Sequence, residues 1–97
     1  MEIVEDNLTG GRAFLKAVSR VGGYEILAAL ANGPLRFTKI QDIADVSPRT
    51  LSGRLKEMIA CDMLVRTVYA EVPPKVEYKL TETGLRVFEL ISELNLD

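Results

Sequence analysis

Ser47-Pro48-Arg49-Thr50-Leu51-Ser52-Gly53-Arg54-Leu55-Lys56-Glu57-Met58-Ile59-Ala60-Cys61, continuing through Asp62-Met63 into Leu64-Val65-Arg66-Thr67-Val68-Tyr69, is the stretch on which the fold turns. Serine followed by proline opens a helix: the hydroxyl accepts from a free amide of the first turn, and proline lacks the N–H that would have no partner there. At about 100° per residue, Leu51, Leu55, Met58 and Ile59 gather on one stripe. Arg49, Gly53 and Lys56 point roughly opposite, Thr50 and Glu57 lie on a shoulder, and Arg54 flanks the core edge. After Cys61 the period falls from 3.6 to 2. Residues 64–69 and 76–80 read as strands, the second alternating as Val76-Glu77-Tyr78-Lys79-Leu80. Pro73-Pro74 cannot sit inside a paired central strand, so 70–75 is expected to be the tip of a long hairpin. Asp62 stands at a helix end, where aspartate tolerates the left-handed conformation that glycine usually supplies.

Working outward, Phe14, Leu15, Val18 and Val21 fall at helical spacing over 12–21, and Gly22-Gly23 interrupts the segment. Tyr24, Leu27, Ala28 and Leu30-Ala31 continue as a second helix, stopped by Asn32-Gly33-Pro34. Thr38 and Gln41 have the spacing of a capping box with Phe37 as its staple, and Ile40, Ile43 and Ala44 are expected on the inner face of the short helix that follows. Downstream of the hairpin, Thr81 is expected to cap a last helix with Leu85, Phe88, Ile91 and Leu94 on one stripe. Residues 1–11 are acidic and weakly patterned and read as frayed; no linker or repeat divides the chain, which is expected to form one domain over 1–97. The fold class is mainly α with a small β-hairpin wing, the element order of a winged helix-turn-helix.

A more specific likeness lies in Gly33-Pro34-Leu35-Arg36-Phe37, in Ser47-Pro48-Arg49 with Leu51-Ser52 and Arg54-Leu55-Lys56-Glu57, and above all in residues 66–78, RTVYAEVPPKVEY, followed by Leu80-Thr81-Glu82-Thr83-Gly84. Over about 24–86 the chain resembles the HxlR-type, MarR-like transcriptional regulators. The resemblance implies a cytoplasmic homodimer that binds operator DNA. Such regulators commonly carry a lysine-tryptophan pair where this chain has Val21-Gly22, and the turn before Ser47 is a residue short. The N-terminal cysteine through which some of them sense electrophiles is missing, so redox sensing is not carried over.

Composition excludes several rival classes. The 97 residues carry no histidine and one cysteine, Cys61, so the usual transition-metal sites lack a ligand set and no histidine triad can be drawn. There is no phosphate loop of the GxGxxG or GxxxxGK[ST] kind. We therefore expect no catalytic residues, metal or cofactor, and a function other than an enzyme's. No apolar run reaches the roughly 18 residues of a membrane span, the acidic start is unlike a signal peptide, and a lone cysteine suits a reducing cytoplasm. The net charge of −2 argues at first against nucleic acid, but its distribution argues for it: residues 36–80 carry eight bases against six acids, the remainder four against eight. Local field, rather than total charge, steers phosphates.

The candidate DNA-binding residues are Thr38 and Lys39 at the start of one helix, Ser47, Arg49, Thr50, Gly53, Arg54 and Lys56 in the recognition helix 47–61, and Arg66 and Lys75 in the wing 66–80. A polar helix face is most simply a solvated one. Here it has no acid before Glu57, and a mid-helix glycine costs up to about 1 kcal/mol against alanine, a cost that close approach to DNA would justify. Helix N-termini add free amides for phosphates. Phe14, Leu15, Val18, Phe88, Ile91 and Leu94 on the terminal helices (12–21 and 82–97) exceed the needs of so small a core and are expected to form a dimer interface. Cys61 reads as a structural thiol. The expected partners are double-stranded DNA and a second copy. A winged helix used as a protein-docking module is the rival reading, and a sensor with a ligand held at the dimer interface is a third; the sequence names no effector.

Overall fold

Ser47 does what its position beside Pro48 requires: its Oγ accepts from the Thr50 amide at 3.1 Å, with proline in the first helical position. The computed structural model describes residues 12–94. In chain order the helices are α1 (12–19), α2 (Gly23–Leu30), α3 (Phe37–Ala44) and α4 (Pro48–Ala60), then strands β1 (Leu64–Tyr69) and β2 (Lys75–Leu80), and finally α5 (Glu82–Glu93). The frayed start expected for 1–11 lies outside the described residues, as does the end of the last helix beyond 94.

The core is the meeting point of the apolar stripes. Ala17 of α1, Ile26 and Leu27 of α2, Ile40 of α3, Leu51 and Met58 of α4, and Met63 just before β1 are completely buried. Two expected core positions are not. Ile43 is 49% and Ile59 37% exposed, because each lies at the rim of its stripe on a helix buried along one side only.

The capping box expected at Thr38 is not formed. Helix α3 begins two residues earlier than that reading requires, at Phe37, with Arg36 as an N-cap that makes no side-chain hydrogen bond. Phe37 packs against the core as the first helical residue rather than stapling from outside. Gln41 instead donates from Nε2 to the Val46 carbonyl at 3.3 Å, bracing the turn into α4. That turn is tight because Asp45 takes a left-handed conformation, φ 56°. Asp62 does the same at the end of α4, φ 65°, as its position in the sequence suggests.

β1 and β2 pair antiparallel from Leu64↔Leu80 to Tyr69↔Lys75, and Leu35 bridges the other edge of β2 at Tyr78. β2 starts at Lys75, one residue earlier than expected, leaving 70–74 as the loop. Strand alternation puts Val65, Thr67, Tyr69, Lys75, Glu77 and Lys79 on one face. The other face bears Arg66, Val68, Val76 and Tyr78 and reaches the core through Leu64 and Leu80. Thr81 then caps α5, accepting from the Gly84 amide at 2.9 Å and donating to the Asp62 carbonyl at 2.6 Å. Gly84 is a packing requirement: a Cβ there would run into the Met63 carbonyl.

Candidate nucleic-acid interface

Helix α4 leaves its polar side to solvent. Arg49, Gly53 and Lys56 are all exposed, and no acid occupies the first turn. The first acid along the helix, Glu57, is half-buried and turned to Arg20, whose Nε lies 2.9 Å from its Oε2. The outer face of α4 therefore presents a cation at each end of a flat centre. A Cβ built on Gly53 would meet nothing within 4 Å, so nothing in the described protein requires glycine there.

The other expected contact residues divide into free and occupied. Thr38 and Lys39 are exposed in the first turn of α3, beside Arg36, an exposed cation that the sequence reading did not single out. Thr50 is drawn into the cap, its Oγ1 accepting from Ser47 Oγ at 3.0 Å. Arg54 is half-buried, and its Nε donates to the Val21 carbonyl at 2.8 Å, so this guanidinium is at least partly committed inside the protein.

In the wing, Arg66 is exposed. Lys75 is held on both sides, with Nζ 3.5 Å from Glu77 Oε2 and 4.9 Å from the centre of the Tyr69 ring. Register explains this, because Tyr69 and Lys75 are directly opposed and Glu77 follows on the same face. Lys75 is thus a strand residue with two partners, whereas the sequence reading put it on an open hairpin tip. Val72, near that tip, is fully exposed.

On the terminal helices, Phe14, Val18, Phe88 and Ile91 are half-buried, and Phe88 stacks on Tyr24 at 5.7 Å between ring centres. Leu15 is 69% and Leu94 72% exposed, and Leu90, which the sequence reading passed over, is also open. Phe14, Val18 and Phe88, half of the interface set, thus pack against the protomer's own core. Cys61 is half-buried, donates weakly to the Met58 carbonyl at 3.6 Å, and has its pKa pushed up, chiefly by burial. Among the described residues no three His, Cys, Asp or Glu side chains cluster to hold a metal, and no helix is long and apolar enough to cross a membrane.

The sequence model of the HxlR-like helix-turn-helix family matches residues 22–96. The chain belongs to the HxlR-like helix-turn-helix family. A relative from Methanothermobacter thermautotrophicus, named an uncharacterized HTH-type transcriptional regulator, is 39% identical over 82 residues, 80% of this chain and 63% of its own length. The HTH-type transcriptional regulator YtfH of Escherichia coli is 38% identical over 84 residues, 86% of this chain and 67% of its own. The chain thus spans under two-thirds of the first relative's length. Among solved structures, diamide-treated YodB from B. subtilis superposes with a TM-score of 0.79 at 32% identity, covering 87% of this chain and 83% of YodB. A MarR-family regulator from Enterococcus faecalis superposes with a TM-score of 0.81 at 27% identity, covering 90% and 80%. The winged helix-turn-helix architecture is therefore the family's own, and α3–turn–α4 is its helix-turn-helix.

Proposed function

We propose that this HxlR-like protein is a transcriptional regulator that binds operator DNA as a homodimer, with α4 in the major groove and the wing along the neighbouring backbone or minor groove. The observation that carries the reading is the outer face of α4, where Arg49 and Lys56 are exposed, no acid intervenes, and a glycine that the protein's own packing does not require lies between them. A major groove about 12 Å wide admits one α-helix, and a smooth centre lets the backbone approach the base edges. The amides opening α3 and α4, neither of which has an acid in its first turn, suit phosphates. The names of the relatives support a regulatory rather than a catalytic role, and a regulator of this kind is expected to act in the cytoplasm with the chromosome.

Dimerisation draws support from α1 and α5. Leu15 on α1 and Leu90 and Leu94 on α5 are open to solvent, apolar surface that a second copy would cover. The test is selection of duplexes from a random-sequence pool by the intact protein, followed by titration across a salt series and light scattering. The reading expects a palindromic selected site, affinity that falls steeply with salt, and a dimer mass. A wild-type protein that enriches no duplex, or stays monomeric at tens of micromolar (a weak-affinity ceiling), overturns it.

A further inference from the structure

We infer that the Arg20–Gly23 elbow between α1 and α2 is a positioning device for the recognition helix, and that Arg54, with the Arg20–Glu57 pair, sets the half-site spacing the dimer accepts. The inference rests on the proposed function and extends it to residues that touch no DNA. Three points of α4 and its approach bear on three elbow residues. Arg54 Nε donates to the Val21 carbonyl at 2.8 Å, and Glu57 Oε2 pairs with Arg20 Nε at 2.9 Å. Val46, in the turn before α4, packs against Gly22, where an added Cβ would lie 2.8 Å from Val46 Cγ1.

The elbow is built to receive these contacts. Gly22 has φ 82°, a conformation that L side chains avoid. A Cβ on Gly23 would lie 2.5 Å from the Ala17 carbonyl oxygen, so α2 starts hard against α1. The Gly23 amide closes the turn on the Arg20 carbonyl at 2.9 Å. Arg20, though exposed, is paired with Glu57 through its Nε, and Arg54 is half-buried. Arg54 reaches back 33 residues to a backbone carbonyl, and Glu57 keeps its Oε1 buried with no hydrogen-bond partner, leaving Arg20 to compensate the carboxylate.

The consequence follows from the chain path. α1 is on the side proposed to dimerise, and the elbow is its C-terminal continuation. Residues 54 and 57 lie three apart on one side of α4, so their two ties fix its rotation and tilt relative to α1. In a two-fold dimer that relation sets the distance between the two recognition helices, which must match half-sites about one helical turn of DNA apart. Arg54 and Glu57 are therefore positioning residues, and Arg49 and Lys56 remain the reading face.

The test uses the duplex that the wild-type protein selects, the same duplex with one base pair inserted between half-sites, a single half-site and a scrambled sequence. Arg54→Ala is expected to weaken the selected duplex by about tenfold, the scale of one charge-assisted hydrogen bond. It should change the single half-site by less than about twofold on the same scale, narrow the preference over the inserted duplex, and leave the salt slope unchanged. Arg20→Glu is expected to act in the same direction, and Arg20→Glu with Glu57→Arg to restore the preference; this pair carries the test if Arg54→Ala does not fold. Equal weakening on every duplex with a salt slope lower by about one unit makes Arg54 a phosphate contact and overturns the inference alone. Failure of the charge exchange to restore spacing preference also overturns it. A wild-type protein that selects no duplex, or binds one half-site as tightly as two, overturns the underlying homodimer reading as well.

Discussion

The outer face of α4 and the wing are the two surfaces expected to meet DNA, and they differ in what the fold has done with their charges. On α4, Arg49 and Lys56 extend to solvent, and the first acid along the helix, Glu57, is paired with Arg20. On the wing, Lys75 is half-buried between Glu77 and Tyr69, while apolar Val72 is left fully exposed. A helix with one apolar stripe separates its charges by geometry, since whatever is opposite the core points out. A two-stranded ribbon opposes residues in register, so a lysine beside a glutamate and across from a tyrosine is already partnered. Lys75 therefore does not count for as much as a cation on the helix.

The largest expected effect tests the reading side. Arg49→Ala should cost about 1–3 kcal/mol of discrimination between the selected and scrambled duplexes, the usual worth of a base-edge contact. Paired titrations measure it. If Arg49 and Lys56 can each be removed without narrowing that ratio, the contrast drawn between helix and wing collapses.

Gly53→Ala sharpens the same point by separating two signs. Its Cβ would meet nothing within 4 Å, so the variant should gain up to about 1 kcal/mol in helix stability. If backbone and DNA approach closely at this position, duplex affinity should fall at the same time. A urea midpoint and a titration on the same sample check the pair, and greater stability with unchanged affinity would show that Gly53 is not at the interface.

For the wing the expected changes are smaller. Lys75→Ala should weaken selected and scrambled duplexes alike and lower the salt slope by less than the one unit of a free phosphate contact, because Lys75 already has partners. Glu77→Gln should free the ammonium and raise affinity for both duplexes. A full unit lost in the first variant, or no gain in the second, would put the wing on the same footing as the helix.

The smallest effect lies at the junction of the two regions. Burial raises the Cys61 pKa in the folded protein, so the folded state holds the thiol proton more tightly than the unfolded chain does. That contribution is fully present below the thiol's ordinary pKa, in the range of pH 8.5–9, and is lost as pH rises through the folded value. Cys61→Ala should therefore flatten the alkaline end of the stability–pH curve and leave neutral-pH DNA affinity and its response to oxidant unchanged. An oxidant response abolished by this variant would make Cys61 a switch.

What was legible in the sequence was whatever depends on neighbours along the chain. The Ser47-Pro48 cap, the Leu51–Leu55–Met58 stripe and its polar opposite, the left-handed Asp62, the Thr81 cap and the hairpin order all follow from local conformational preference and helical or strand period, and the structure has each of them. The capping box at Thr38 failed for a reason pattern alone does not expose: the helix already starts at Phe37, which packs against the core, so Thr38 lies inside the first turn and cannot be its N-cap.

Everything that hinged on long-range partners was decided by the tertiary structure. Arg54 reads as a candidate DNA contact at the core edge until Val21, 33 residues earlier, is brought within 2.8 Å of it. Glu57 reads as an acid on a helix shoulder until Arg20 meets it, and Phe88 as surplus apolar surface until it stacks on Tyr24. Period and capping are properties of one turn or one strand, so a single chain displays them. Whether a charge is spent or available depends on which distant atoms the packed core brings beside it, and only the assembled fold determines that.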